Sequence, residues 1–229
     1  MGVNSIQTLS LSLELAQQDG SVAARLGSGK IIELPVMQGD RSKDTVMPAV
    51  DNVISLVGGT PNNINTVVVS IGPGGFTGLR IAVATAKMIS FATGASIVPV
   101  ETALGVVQSS NDTPNTSLVV SCVKKDNFWL SVVGKDPRWS CSSRLICDDE
   151  FEEHLDSKSV LFGDQFLPEQ IRLTCEKLGV EVRPAVSNAT SIMEVGIELL
   201  KAGKTVDPIA LLPLYPREAE AVRRWQENK

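Results

Sequence analysis

Apolar and polar residues alternate along the first part of the chain. Leu9, Leu11, Leu13 and Leu15 fall on one side of an extended backbone and Ser10, Ser12 and Glu14 on the other. Ile6 to Leu15 therefore reads as a strand with one solvated face. Asp19-Gly20 is a hairpin turn, and Val22, Ala24 and Leu26 resume the alternation. Gly27-Ser28-Gly29 turns again into a third strand, Ile31 to Leu34. The period then changes. From Asp44 to Val57 the apolar residues Val46, Met47, Val50, Val53, Ile54 and Val57 gather on one side of a helix, with Ala49 and Leu56 widening the stripe. Thr66 to Ile71 carries three consecutive valines and no charge, which suits a strand covered on both faces. Four glycines and a proline between Gly72 and Gly78 stop that strand. Leu79 to Thr93 has neither Gly nor Pro and reads as a helix, with Gly94 at its C-cap. Ser96 to Val100 is the next buried strand.

The second half is less regular. Asn111-Asp112-Thr113-Pro114-Asn115-Thr116 is polar and rich in breakers, and divides the chain into a domain over residues 1–110 and a smaller α/β domain over 111–229. Leu118 to Val123 and Phe128 to Val133 predict a hairpin around Lys124-Lys125-Asp126-Asn127, a solvated turn. Val160-Leu161-Phe162-Gly163-Asp164 predicts a short strand. Helices are expected over Pro168 to Leu178 and Ser191 to Ala202, with Asn188 or Thr190 near the start of the second and Gly203 as its stop. In the tail, Glu218 to Lys229, Ala219, Val222 and Trp225 have helical spacing and Arg223, Arg224 and Lys229 point outward. This is the pattern of a solvated terminal helix, with contact to RNA as the functional alternative.

Composition narrows the chemistry. The 229 residues are 43% hydrophobic and 21% charged, as in ordinary globular proteins, and no stretch is long and uncharged enough to span a membrane. A net charge of −5 disfavours a strongly basic nucleic-acid binder. The four cysteines, Cys122, Cys141, Cys147 and Cys175, form no C-x-x-C pair, which fits reduced thiols of a cytoplasmic protein. The single histidine, His154, lies in an acidic stretch expected to be helical, with no nucleophile or second ligand in sight. No metal site and no catalytic residue is nominated.

The glycine loop has two readings. Gly72, Gly74, Gly75, Phe76, Thr77 and Gly78 enter a helix N-terminus, where backbone N–H groups can receive an anion and Thr77 can cap. Alternatively, the glycines only allow helix and sheet to approach closely. No Gly-Lys-Ser/Thr follows, and the third glycine of the dinucleotide pattern is missing.

Gly72-Pro73-Gly74-Gly75-Phe76-Thr77-Gly78-Leu79-Arg80-Ile81 resembles the Gly-Pro-Gly-Ser-Phe-Thr-Gly-Val/Leu-Arg segment of the TsaB (YeaZ) family, proteins of tRNA threonylcarbamoyladenosine modification related to the catalytic subunit TsaD. Val98 to Thr102, Ala202-Gly203-Lys204 and Pro213-Leu214-Tyr215-Pro216-Arg217 resemble further family segments. The resemblance implies an actin-like ATPase (ribonuclease-H-like) α/β fold, a mixed sheet flanked by helices, with a degenerate second actin-like half. The order of three strands, helix, strand, helix, strand agrees with it. Two departures stand out. Where the family has Ile-Asp-Thr in the first-strand turn, the corresponding residues here are taken to be Ile6-Gln7-Thr8. Where TsaD-type proteins carry paired metal-binding histidines, the chain has Arg41-Ser42-Lys43-Asp44.

The function implied is that of an accessory subunit without independent catalysis or cofactor. It would bind and activate a TsaD-like subunit, share the assembly with a TsaE-like ATPase, form a homodimer when alone and meet tRNA only through the complex. The alternatives are a small actin-like ATPase or phosphotransferase and a purely homodimeric scaffold. An apolar arc of about 100° suffices for a helix lying on a sheet, and Asp44 to Val57 offers about 180°. On the helix after the loop, Ile81, Thr85, Met88 and Ala92 are expected to face the sheet. A second face of Leu79, Val83, Ala86 and Ser90, lined by Arg80 and Lys87, is left for a partner. The expected interface joins this second face to Val46, Met47, Val50, Val53, Ile54 and Val57.

Overall fold

The computed structural model describes residues 7–36, 45–110, 116–124, 127–134 and 139–216, without the side chains of 122–124. Three strands open the chain: β1 (Leu9–Glu14), β2 (Ser21–Leu26) and β3 (Ile32–Pro35). Helix α1 (Val46–Leu56), strand β4 (Ile64–Gly72), helix α2 (Phe76–Thr93), strand β5 (Ser96–Glu101) and helix α3 (Thr102–Ser109) follow. The second half contributes β6 (Thr116–Lys124), β7 (Asn127–Gly134), β8 (Cys141–Cys147), β9 (Ser159–Gly163), α4 (Glu169–Leu178), β10 (Glu181–Pro184) and α5 (Ala189–Lys201).

The two halves repeat one plan. The first sheet has the order β3-β2-β1-β4-β5 and the second β10-β9-β6-β7-β8, which read from its other edge is the same sequence of connections. In each, three strands form an antiparallel meander and two more join in parallel beside the first of them. Where the first half inserts α1, the second has only short 3-10 turns, Asp148–Glu150 and Glu152–His154. The fold is thus actin-like, with two mixed sheets flanked by helices and a reduced second half.

Helices α1 and α2 cover one face of the first sheet and share a core with Leu9, Leu11, Leu13, Val67 and Val69. Helices α3 and α5 lie on the opposite face, between the two sheets, where Val68, Val98 and Val100 meet Val119, Val160 and Phe162. The close approach is made at two glycines. A Cβ at Gly105 of α3 would collide with Ser187 and Ile192, and one at Gly196 of α5 with Val68.

This layering corrects the one-sided reading of the first strand. Ser12 and Glu14 are both fully buried, because the second lobe covers the face expected to meet water. The acidic segment with His154 is not a regular helix but the two 3-10 turns. Ile6, Arg41 to Asp44, most of the 111–116 boundary, Lys125-Asp126 and the tail from Arg217 lie outside the described residues. Among the described residues no helix is long and apolar enough to cross a membrane.

Candidate functional site: the cleft, the glycine loop and the outer face of the first lobe

Pairing register settles where the first-strand turn is. Leu9 pairs with Leu26 and Glu14 with Ser21, so β1 closes its hairpin at Glu14. Gln7 precedes the strand and sits at the opposite end from the glycine loop. The comparison of Ile6-Gln7-Thr8 with Ile-Asp-Thr is therefore corrected: the residue at the loop end of β1 is an acid, Glu14. Six residues separate it from Ser21 at the start of β2, and the Asp19-Gly20 turn between them was the signal available in the sequence.

Glu14 is fully buried. Its Oε1 accepts the Ala16 N–H at 2.6 Å and its Oε2 the Ser187 hydroxyl at 3.1 Å. Burial raises its pKa, opposed by hydrogen bonds from Ala16, Ser70, Ser187 and Gln17. Beside it, Ser70 and Thr102 share a hydrogen bond of 2.9 Å. A cleft of about 840 Å³ opens above these residues between the lobes, with Pro73, Gly74 and Gly75 on one wall and Asp164, Gln165 and Ala185 on the other.

The glycine loop faces the first-strand turn at backbone distance. Gly75 donates its N–H to Ala16 O at 2.6 Å. A Cβ at Gly74 would run into the Ala16 carbonyl, and one at Gly78 into the Leu15 carbonyl. The N-cap of α2 is Gly75 and not Thr77, and no side chain caps it. A nucleotide with magnesium, which an actin-like fold implies, needs free loop N–H groups and a carboxylate reaching into the cleft. These residues do not fit that group, since the Gly75 N–H and both Glu14 oxygens are engaged within the chain. Among the described residues no cluster of three or more His, Cys, Asp or Glu is placed to hold a metal.

A second polar cluster lies further along the floor. Ser143 donates to Glu101 Oε2 at 2.8 Å and pairs with Ser131 at 2.9 Å, and the Cys141 thiol lies 3.5 Å from the same carboxylate. Burial first, then the Glu101 charge, pushes the Cys141 thiol up to about 12, so it stays protonated and is no nucleophile.

On the outer face, the residues expected at a partner interface separate into two groups. Val46, Val50, Val53 and Ile54 of α1 and Leu79, Val83, Ala86 and Ser90 of α2 are buried within this chain, and Val57 is half-buried. Met47, Arg80 and, in part, Lys87 reach the surface. The two faces of α2 are exchanged relative to expectation. Leu79, Ala82, Val83 and Ala86 pack on the sheet, while Ile81, Met88 (58% exposed), Phe91 (66%) and Ala92 point outward; of the expected sheet face only Thr85 is buried. On the inner face the small Ala82 and Ala86 let the helix settle close to the sheet, with Leu79, Val83 and Ile89 filling the space around them.

The C-terminal segment runs antiparallel along α2. Val206 donates to Ile97 O at 3.0 Å, Lys87 Nζ to Ile209 O at 3.3 Å, and Leu214 to Ile71 O at 2.7 Å. Leu211 is buried in the first-lobe core. Arg80 is already held: its Nε donates to the Tyr215 hydroxyl at 3.1 Å and its guanidinium lies 3.8 Å above the Phe76 ring.

Comparison with known proteins follows this geometry. The family model described as TsaD, tRNA N6-adenosine threonylcarbamoyltransferase, matches residues 34–161, more than half of the chain. No curated protein matches. Among solved structures, an uncharacterised Pseudomonas aeruginosa protein with similarity to the peptidase YeaZ superimposes with a TM-score of 0.76 at 16% identity, covering 92% of this chain and 100% of that one. YeaZ from Pseudomonas aeruginosa superimposes with a TM-score of 0.74 at 16% identity, covering 90% of this chain and 100% of that one. With the two-lobed fold of YeaZ and the family's model matched across more than half its length, this chain belongs to the TsaD family.

Proposed function

We propose that the chain is an accessory subunit of tRNA threonylcarbamoyladenosine modification, binding and activating a TsaD-type catalytic subunit through the outward faces of α1 and α2. The observation that carries this reading is the exposed apolar surface of those helices. Met47 and Leu56 on α1 and Ile81, Met88 and Phe91 on α2 all lie exposed on the same side of the first sheet. On α2, Ile81, Met88 and Phe91 fall within about 100° of one another around the helix axis, and an exposed apolar patch of this kind marks an interaction site. In this reading the buried members of the expected interface support the helices from beneath, and Arg80 and Lys87 rim the contact. The two domains are residues 1–110 and 111–229, with α5 returning to brace the first. A TsaE-like ATPase joins the same assembly, and tRNA is met only there. A homodimer through the same face forms when the partner is absent.

Met88→Glu and Phe91→Glu test it. Both side chains are in water in the single chain, so each variant is expected to keep its fold. Each places a charge in the contact, and binding to the TsaD-type subunit should weaken by about 2 kcal/mol or more, roughly 30-fold. Co-elution is then lost, and the mass of the isolated chain in solution falls to that of a monomer. Wild-type co-elution by both folded variants would rule this face out.

A further inference from the structure

The first-strand turn makes contacts on both sides of the cleft. On the first-lobe side, Gly75 donates its N–H to Ala16 O at 2.6 Å, and Glu14 holds the preceding peptide by accepting the Ala16 N–H at 2.6 Å. The Ala16 carbonyl thus occupies the position on the glycine loop that an anion's oxygen would take. On the second-lobe side, the Gln17 carboxamide clasps the segment ahead of α5. Its Nε2 donates to Ala185 O at 3.3 Å, and its Oε1 accepts the Ser187 N–H at 3.3 Å. Gln165 Nε2 donates to Gln18 Oε1 at 3.4 Å, and the Ser187 hydroxyl donates to Glu14. Apart from Glu14, which is buried, these residues border the cleft of about 840 Å³.

We infer that the turn from Leu15 to Asp19 is a built-in plug of the cleft, joining the glycine loop to the second lobe so that the two come apart only together. Three elements meet on five residues: the loop that starts α2, the hairpin of β1 and β2, and the lead-in to α5. A side-chain amide that both donates to and accepts from one backbone segment holds it as a ladder pair would. Because neither Gly74 nor Gly78 tolerates a Cβ against this turn, the loop has no room to shift independently. The plug fills the cleft's loop wall with the chain's own carbonyl and sets the start of α2 by the closure of the lobes. This inference needs no partner and stands apart from the docking reading.

Amide hydrogen exchange on the full chain tests it. In the wild type the Gly75 and Ser187 amides are expected to exchange at a common rate, as one opening unit. Gln17→Ala removes only the second-lobe clasp, yet protection of both amides should fall about tenfold, the size expected for losing one or two net hydrogen bonds. Amides of β4 at Val67 to Val69 should be unchanged, which shows that the fold is intact. Gln17→Glu, which keeps an acceptor for Ser187 but cannot donate to Ala185, should lie between. If either variant loses protection at Ser187 while Gly75 keeps its wild-type rate, the two sides open independently and the plug is refuted. Rates at both sites left at their wild-type values by Gln17→Ala and Gln17→Glu would refute it as well.

Discussion

Gly78→Ala sets two known effects against each other. Gly78 lies in the first turn of α2 at ordinary helical angles, and on propensity alone alanine should stabilise a helix by about 1 kcal/mol. The added methyl, however, points at the backbone of the first-strand turn. Its position falls far inside contact distance of the Leu15 carbonyl oxygen and 3.0 Å from the Leu15 carbonyl carbon. A flexible side chain would swing away, but a backbone carbonyl moves only with its neighbours. Retreat of the turn carries Ala16 with it and lengthens the bond to Gly75, which costs about 1 kcal/mol. Overpacking adds about 1–3 kcal/mol. Against the propensity gain, the balance is a net loss of about 2 kcal/mol, which for a chain of this size lowers Tm by about 4–8 °C. Urea unfolding monitored by far-UV circular dichroism gives the same quantity as a fall in midpoint at unchanged slope. The neighbour Thr77, exposed and not the cap, serves as a control, and Thr77→Ala should change stability by less than about 0.5 kcal/mol. A Gly78→Ala protein as stable as the wild type, or more so, would refute the claim that the loop glycines serve close approach.

Val83→Glu, at a position buried in the first-lobe core, should behave unlike Met88→Glu: it is expected to unfold the chain or leave it largely insoluble, since an unpaired charge there costs about 3–5 kcal/mol. Expression yield and circular dichroism distinguish the two variants. Burial holds the Glu14 carboxyl above its usual 4.5, so the folded state takes up its proton more readily than the unfolded chain. The resulting stability is complete below that usual value and is lost as pH rises through the raised one. Glu14→Gln should remove this slope, and urea midpoints measured from pH 4.5 to 8 would then be flatter than those of the wild type; parallel curves would be the contrary result. Cys141, raised to about 12, should resist iodoacetamide at pH 8 in the native protein, while the exposed Cys147 is alkylated first, as read by peptide mass spectrometry.

Strands with a clear period of two were legible from the residues alone. Leu9 to Leu15, the Asp19-Gly20 turn and the valine run before Gly72 each carry their structure locally, through side-chain alternation and turn chemistry. The stop of α2 was legible for the same reason: Gly94 takes the left-handed conformation, with φ of 76°. Three elements were not. Helix α3 is only eight residues long and has Gly105 at its middle, a residue that opposes helix unless a neighbour needs its space. Strands β8 and β10 are edges of the second sheet, one largely polar and the other four residues long, and neither shows a periodic apolar face.

The sequence by itself determined the order of elements as far as β5, the family and the glycine-rich entry to α2, because these rest on backbone preferences and on residues close together in the chain. Tertiary structure alone decided which end of the first strand meets the loop, since a period of two is the same read from either end and only the pairing of Glu14 with Ser21 fixes it. It also decided which side of α2 is free. That helix carries large apolar residues on both sides, so hydrophobicity cannot choose a face, and the choice falls to fit against the sheet, which takes Leu79, Val83 and Ile89 together with small residues. Ala82, Ala86 and Ser90 allow close approach to the sheet, and Ile81, Met88 and Phe91 remain in water. The role of Glu14 was hidden for a related reason. A carboxylate in an alternating strand reads as solvated until a second lobe, more than 150 residues later in the chain, brings Ser187 to cover it.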